Sequence, residues 1–248
     1  MYNPFSLSGK TILVTGASSG IGRATAIECA KMGAVVFLTA RDEARLRETL
    51  DALEGEGHQY IIADLTREED TRQLVEQLPQ LDGVVLNAGI AGLIPVQAIS
   101  AAKLQEMQLI NLNAPILLTC SLVKKRKLNN PSSIVFTSSA AGVFRTSAGN
   151  AIYATTKCGI DAFMRTAALE FAGKGIRCNS VNPAMVETEL IKNLPVNEEE
   201  REKNLARYPL HRYGKPEEIA YAIVYLLSDA SSWTTGTALK LDGGLTLS

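Results

Sequence analysis

Thr11-Ile-Leu-Val-Thr-Gly-Ala-Ser-Ser-Gly-Ile-Gly22 sets an unbroken apolar run against Gly16, Gly20 and Gly22, and a helix-forming segment follows. Residues 11–15 have the β-branched, apolar character of a strand buried on both faces. The glycines behind them are spaced Gly-x-x-x-Gly-x-Gly. Glycine permits a tight turn and close backbone approach, and the free N–H groups that open a helix attract a pyrophosphate. A plain strand–helix turn needs one glycine, so the spacing points to a bound dinucleotide. Gly9-Lys10-Thr11 resembles the end of an ATP-binding loop, but Pro4 stands where that motif's first glycine belongs. It also precedes a strand instead of following one, so ATP is not expected.

Outward from this stretch, apolar runs at 35–38, 60–63, 84–86, 134–137, 177–181 and 238–241 alternate with amphipathic segments. The segments lie near 21–32, 43–54, 67–78, 103–127, 153–173 and 216–228. This alternation predicts an α/β fold: one doubly wound domain over 1–248, its seven-stranded parallel sheet flanked by helices on both faces. The longest interruption, near 187–213, contains Pro195, Pro209 and the acidic run Glu198 to Glu200 and reads as a substrate lid.

The chain has 248 residues and a net charge of −1, with both signs interspersed, so no field favours nucleic acid. Lys124, Lys125, Arg126 and Lys127 read as the solvated end of a helix. No stretch approaches the ~18 apolar residues needed to span a bilayer, and no signal pattern opens the chain. Cys29, Cys120, Cys158 and Cys178 are scattered thiols, and His58 and His211 stand far apart in surface or loop positions. Neither a disulfide frame nor a metal site is expected, and the localisation expected is cytoplasmic.

Tyr153 and Lys157 share a helical face, with Ile160, Phe163, Met164, Ala167, Ala168 and Phe171 continuing an apolar stripe. An ammonium beside a phenol is expected to lower its pKa by ~1–3 units, making it an acid or base near neutrality. Ser139 ends an apolar run at the edge where open α/β sheets bind ligands. Asn111 is a polar residue on the stripe of Leu104 and Met107. Pro115, four residues on, cannot donate the helical bond to its carbonyl.

Together the 15–22 turn, Asn87-Ala88-Gly89, Asn111, Ser139, Tyr153/Lys157, Asn182-Pro183 and Asp242-Gly243-Gly244 resemble the compact branch of the short-chain dehydrogenase/reductase family. The general pattern is similar to its 3-oxoacyl-acyl-carrier-protein reductases. The resemblance covers nearly the whole chain and implies a Rossmann-type fold. It implies catalysis by Asn111, Ser139, Tyr153 and Lys157: Tyr153 as acid/base, Ser139 orienting the carbonyl, and Lys157 lowering the phenol's pKa and binding the nicotinamide ribose. Asn111 would relay protons through a water. The implied cofactor site is Gly16, Ser18, Ser19, Gly20, Ile21, Gly22, Arg41, Asp64, Leu65, Asn87, Ala88, Gly89, Tyr153, Lys157, Pro183, Val186 and Thr188.

NADP(H) is favoured because Ala40 falls where NAD-using members commonly place an acid, and Arg41 can pair with a 2′-phosphate. Asp42 keeps NAD(H) open. Ser139, Phe144 and Met185 are the expected substrate contacts, beside Leu93 and Ile94. The implied reaction interconverts a ketone and a secondary alcohol on a small molecule, free or carrier-bound. A homotetramer built on 103–127, 153–173 and the carboxy-terminal end is also implied. Alternatives are a non-catalytic nucleotide sensor, an alcohol, sugar or steroid dehydrogenase using NAD, and an epimerase or dehydratase of the larger branch. Against the last, the turn is not Thr-Gly-x-x-Gly-x-x-Gly. Two departures from the family pattern are Ala184, where Pro-Gly is usual, and a longer span between Ser139 and Tyr153.

Overall fold

The computed structural model describes residues 2–189 and 198–247. Its strands are β1 (Thr11–Thr15), β2 (Val35–Ala40), β3 (Gln59–Ile62), β4 (Leu81–Leu86), β5 (Leu128–Thr137), β6 (Ile176–Pro183) and β7 (Ala238–Leu241). They form a seven-stranded sheet of order β3-β2-β1-β4-β5-β6-β7, and each adjacent pair is parallel. Chain direction across the sheet reverses between β1 and β4, which opens a crevice at their carboxyl ends.

The helices are α1 (Gly20–Lys31), α2 (Glu43–Asp51), α3 (Glu68–Gln77), α4 (Ala101–Gln108), α5 (Ala114–Lys124), the kinked turn α6 (Ala140–Val143), α7 (Ala151–Phe171), α8 (Glu198–Leu205) and α9 (Pro216–Leu227). Successive strand residues face opposite layers. Ile12 and Val14 of β1 pack with Cys29 of α1 and Ile219 and Ile223 of α9. Leu13 packs the other way, with Leu74 of α3, Leu118 of α5 and Met164 of α7. The unbroken apolar runs are therefore buried on both sides, each large side chain contributing roughly 1.5–3 kcal/mol.

Two elements differ from their sequence patterns. The helix expected over 103–127 is broken by a π-turn at Leu109–Asn113. Pro115 has no N–H for the ladder and its ring crowds the carbonyl four residues back, so the turn widens instead of continuing. β5 begins at Leu128, earlier than its apolar run, because Leu81 pairs with Leu128. There the Asp82 carboxylate accepts from Thr11 N (2.7 Å) and Asn129 Nδ2 (2.8 Å), so polar groups stitch this end of the sheet. His58 stands in the loop before β3, as expected, and is half-buried there. Its Nδ1 accepts from Val36 N at 3.0 Å, and Nε2 lies 3.0 Å from the Glu54 carbonyl.

The basic run closes α5, and Lys127 folds onto the carbonyls of Glu76 and Leu78 at the end of α3. The expected lid falls partly on 190–197, outside the described residues. Its remainder is α8 and a segment in which Tyr208, buried, packs edge-on against Tyr213 at 5.6 Å. Among the described residues no helix is long and apolar enough to cross a membrane.

Candidate active site

β1 delivers the chain into its glycine turn at the crevice. Gly16 has φ +63°, and a Cβ there would lie 2.9 Å from Ala88 Cα. Gly22 is tighter. A Cβ would sit 2.6 Å from Asn87 Nδ2 and closer still to the Gly16 carbonyl oxygen. The two segments are laced by Thr15, whose Oγ1 accepts from Asn87 N (2.9 Å) and Ala88 N (3.1 Å) while donating to the Val85 carbonyl (3.2 Å). Asn87 Nδ2 returns a bond to the Thr15 carbonyl at 3.3 Å. Thr15 is thus a clamp that the sequence pattern names only as the first letter of a turn.

Ser18, Ser19 and Ile21 flank the start of α1, whose first turn has no acid and whose N-cap, Ser19, makes no side-chain cap. These N–H groups suit a pyrophosphate. Thr188 places its methyl 3.2 Å from a Cβ built on Gly20, and Glu189 pairs with Arg45 of α2 at 3.2 Å. The segment after β6 therefore folds back over the turn, with Val186 bridged to Gly214.

At the exit of β2, Arg41 is exposed and forms no ion pair among the described residues. Asp42 is committed elsewhere: it caps α2 by accepting from Arg45 N at 3.1 Å. Asp64, next to Leu65, accepts from Thr66 N (3.0 Å) and Thr66 Oγ1 (2.7 Å). Partial burial raises its pKa, but those bonds and the charges of Arg41 and Arg67 hold it below the ordinary value.

At the reacting end, Ser139 caps α6, accepting from Ala141 N at 3.0 Å. Its hydroxyl also reaches the Pro183 carbonyl at 3.5 Å and hydrogen-bonds the Tyr153 phenol. Ser138, its neighbour, donates instead to the Lys157 carbonyl at 3.1 Å, a structural use. Lys157 is buried. Its Nζ donates to the Thr137 carbonyl at 2.8 Å and stands 5.6 Å from the Tyr153 ring centre.

The expected lowering of the phenol's pKa is not what the site does. Burial pushes Tyr153 up, opposed by the Ser139 bond. The lysine moves instead: burial lowers it to about 8, against the opposing charge of Asp161. Desolvation dominates at both groups because they lie in the same dry layer.

Asn111 is buried in the π-turn. Its Oδ1 accepts from Ile90 N and its Nδ2 donates to the Ile90 carbonyl, both at 2.8 Å, so the amide anchors the loop after Gly89. That loop runs to Leu93 and Ile94, and Ile94 N donates to the Gly149 carbonyl at 2.7 Å. Phe144 is exposed and has the Lys240 ammonium 5.5 Å from its ring centre. Met185 N donates to the Tyr208 hydroxyl oxygen at 3.4 Å. Asp161, which no site motif singles out, lies buried behind Lys157 and Ser139 and is joined at 2.7 Å to Asn182 of the Asn182-Pro183 motif. The available signal was an acid on the apolar stripe of α7.

A family model described as enoyl-(acyl carrier protein) reductase matches residues 16–246. The 3-oxoacyl-[acyl-carrier-protein] reductase of Thermotoga maritima is 35% identical, over 97% of this chain and 99% of its own. A provisionally assigned 2-deoxy-D-gluconate 3-dehydrogenase from Agrobacterium tumefaciens, solved with bound NADP, superposes with TM-score 0.90 at 30% identity over 100% of both chains. A short-chain type dehydrogenase/reductase from Mycobacterium marinum gives 0.89 at 31%, over 99% of this chain and 98% of its own.

Proposed function

The chain belongs to the short-chain dehydrogenase/reductase family, and from that premise we propose that it is an NADP(H)-dependent oxidoreductase interconverting a ketone and a secondary alcohol. The observation that carries the reading is the convergence of the Tyr153 phenol, the Ser139 hydroxyl and the Lys157 ammonium at the carboxyl end of β5, beside the glycine cradle.

The cradle fits a dinucleotide: Gly22 leaves no room for a side chain, and the N–H groups opening α1 are free to bind phosphate. The nicotinamide, when bound, supplies or accepts the hydride. Tyr153, kept protonated by burial, donates its proton to the substrate oxygen in the reducing direction. Lys157, an ammonium below about pH 8, stabilises the phenolate left behind. Ser139 turns its hydroxyl toward the same oxygen. The Asn111 amide is spent on Ile90, so its part in proton delivery runs through the main-chain carbonyl that Pro115 cannot bond.

Leu93 and Phe144, exposed, and Met185 are the expected substrate contacts, and their apolar side chains favour a 3-oxoacyl thioester over a polyol. The relatives divide between those chemistries. Oxidation of NADPH with acetoacetyl thioesters and a ketone panel tests the assignment. NADPH binding without turnover of any carbonyl would instead mark a nucleotide sensor.

Arg41 supplies the preference for NADP. Arg41→Ala is expected to weaken NADPH by ~10- to 100-fold, the loss of one charge-assisted contact, and NADH only slightly. Equal losses in fluorescence titrations would remove the preference. Leu109 and Leu117 beside the π-turn and Leu169 on α7 are exposed, which supports a homotetramer paired through these helices. Sedimentation velocity is expected to give a tetramer, and a monomer would refute the assembly.

A further inference from the structure

Asp161 lies one helical turn beyond Lys157 on α7 and is 2% exposed. Its Oδ2 accepts from Asn182 Nδ2 at 2.7 Å, while its Oδ1 is buried without a hydrogen-bond partner among the described residues. Asn182, at the end of β6, is fully buried. The same Nδ2 donates to the Ser139 carbonyl at 3.2 Å, and Asn182 Oδ1 accepts from Ser180 Oγ at 2.9 Å. One amide therefore ties an acid on α7 to the main chain of the site serine.

An apolar residue would fill this volume without burying a half-satisfied carboxylate. What the carboxylate adds is an opposite charge one turn from the buried ammonium. Resting on the functional reading above, we propose that Asp161 is a positioning residue that keeps Lys157 an ammonium at working pH and, through Asn182, fixes the Ser139 main chain against it.

The surroundings of Lys157 leave this task to Asp161. From its own helix it faces the Tyr153 ring and the Asp161 charge. From β5 it meets the Thr137 carbonyl, and Gly89 lies on its other side with the Asn111 amide beyond, none of which titrates. Burial alone drives the ammonium toward neutrality, and Asp161 is the opposing charge. A lysine with a lowered pKa is charged at low pH and neutral once pH rises through that value. Without the carboxylate the charge is lost earlier.

The test is a titration of the full chain carrying 13Cε-lysine, with the Lys157 signal assigned by its disappearance in Lys157→Met. The wild type is expected to turn near pH 8, and Asp161→Asn about one pH unit lower. The alkaline limb of NADPH-dependent acetoacetyl thioester reduction is expected to move by the same amount. Asp161→Glu, which keeps the charge, is expected to restore both. Should the asparagine variant not fold, Asp161→Ser is titrated in its place with the same expectation. A Lys157 midpoint unmoved in the neutral variant overturns the proposal, since a purely structural residue would lower rates without shifting the titration. The two assignments fail separately: full turnover in Tyr153→Phe removes the functional reading, and an unmoved midpoint beside an inactive Tyr153→Phe removes only this one.

Discussion

Tyr153→Phe is expected to slow carbonyl reduction by about 10²–10⁴-fold, the usual span for losing a general acid, while leaving NADPH affinity nearly unchanged. The substitution deletes one oxygen and keeps the ring. The ring's place in α7 and its stacking distance of 5.6 Å from the Lys157 ammonium therefore persist. What disappears is the proton that burial holds on the phenol, together with the hydrogen bond to Ser139. Because the phenol's pKa is raised, the active form for reduction is the protonated one, and it dominates across the neutral range. The acid limb of the wild-type profile should therefore be flat, with activity falling only as Lys157 loses its charge above about pH 8. Single-turnover oxidation of NADPH separates this loss of chemistry from any loss of binding. A phenylalanine variant that retains its chemical rate would sink the acid assignment and return Tyr153 to the role of a packed helix residue.

The parts of this molecule legible in its sequence are those where one physical demand acts alone. Strands β1 and β2 show themselves because burial on both faces requires apolar residues at every position. The turn shows itself because two backbones meet where only glycine fits. Legibility fails where two demands compete. The first residues of β5 pair in the sheet yet are polar, because Asn129 must satisfy Asp82, so an apolar pattern misses them. The helix over 103–127 has the right periodicity, but Pro115 changes its hydrogen bonding without changing the stripe. The sign of the Tyr153 shift is hidden for a similar reason: spacing reveals that an ammonium is near, whereas burial depth, which raises the phenol's pKa, depends on the whole fold. Asp161 was hidden by the same arithmetic. A single acid on an apolar stripe looks like an interruption until Asn182, arriving from another strand, shows what it holds.

Gly22→Ala is expected to reduce NADPH affinity by ~100-fold or more and to cost about 1–3 kcal/mol of stability, the range for overpacking a tight site. The conformation is not the obstacle, since Gly22 adopts an ordinary helical backbone inside α1. The obstacle is space. The new methyl would stand 2.6 Å from Asn87 Nδ2 and 2.8 Å from the Gly16 carbonyl carbon, and neither is the free end of a flexible chain. Gly16 cannot retreat, because Ala88 already lies against it, and Asn87 cannot turn without releasing its bond to the Thr15 carbonyl. The turn must therefore open, and its N–H groups lose their common aim. Each charge-assisted bond to phosphate is worth about 1.5–3 kcal/mol, so misdirecting two of them accounts for the expected loss. Gly173→Ala is the matched control: a Cβ there meets nothing within 4 Å, and its effect should stay within about 0.5 kcal/mol. Isothermal titration with NADPH and urea unfolding of both variants read the two quantities. If Gly22→Ala bound NADPH like the wild type, the cradle would not be the phosphate site, and the dinucleotide would have to lie elsewhere along the crevice between β1 and β4.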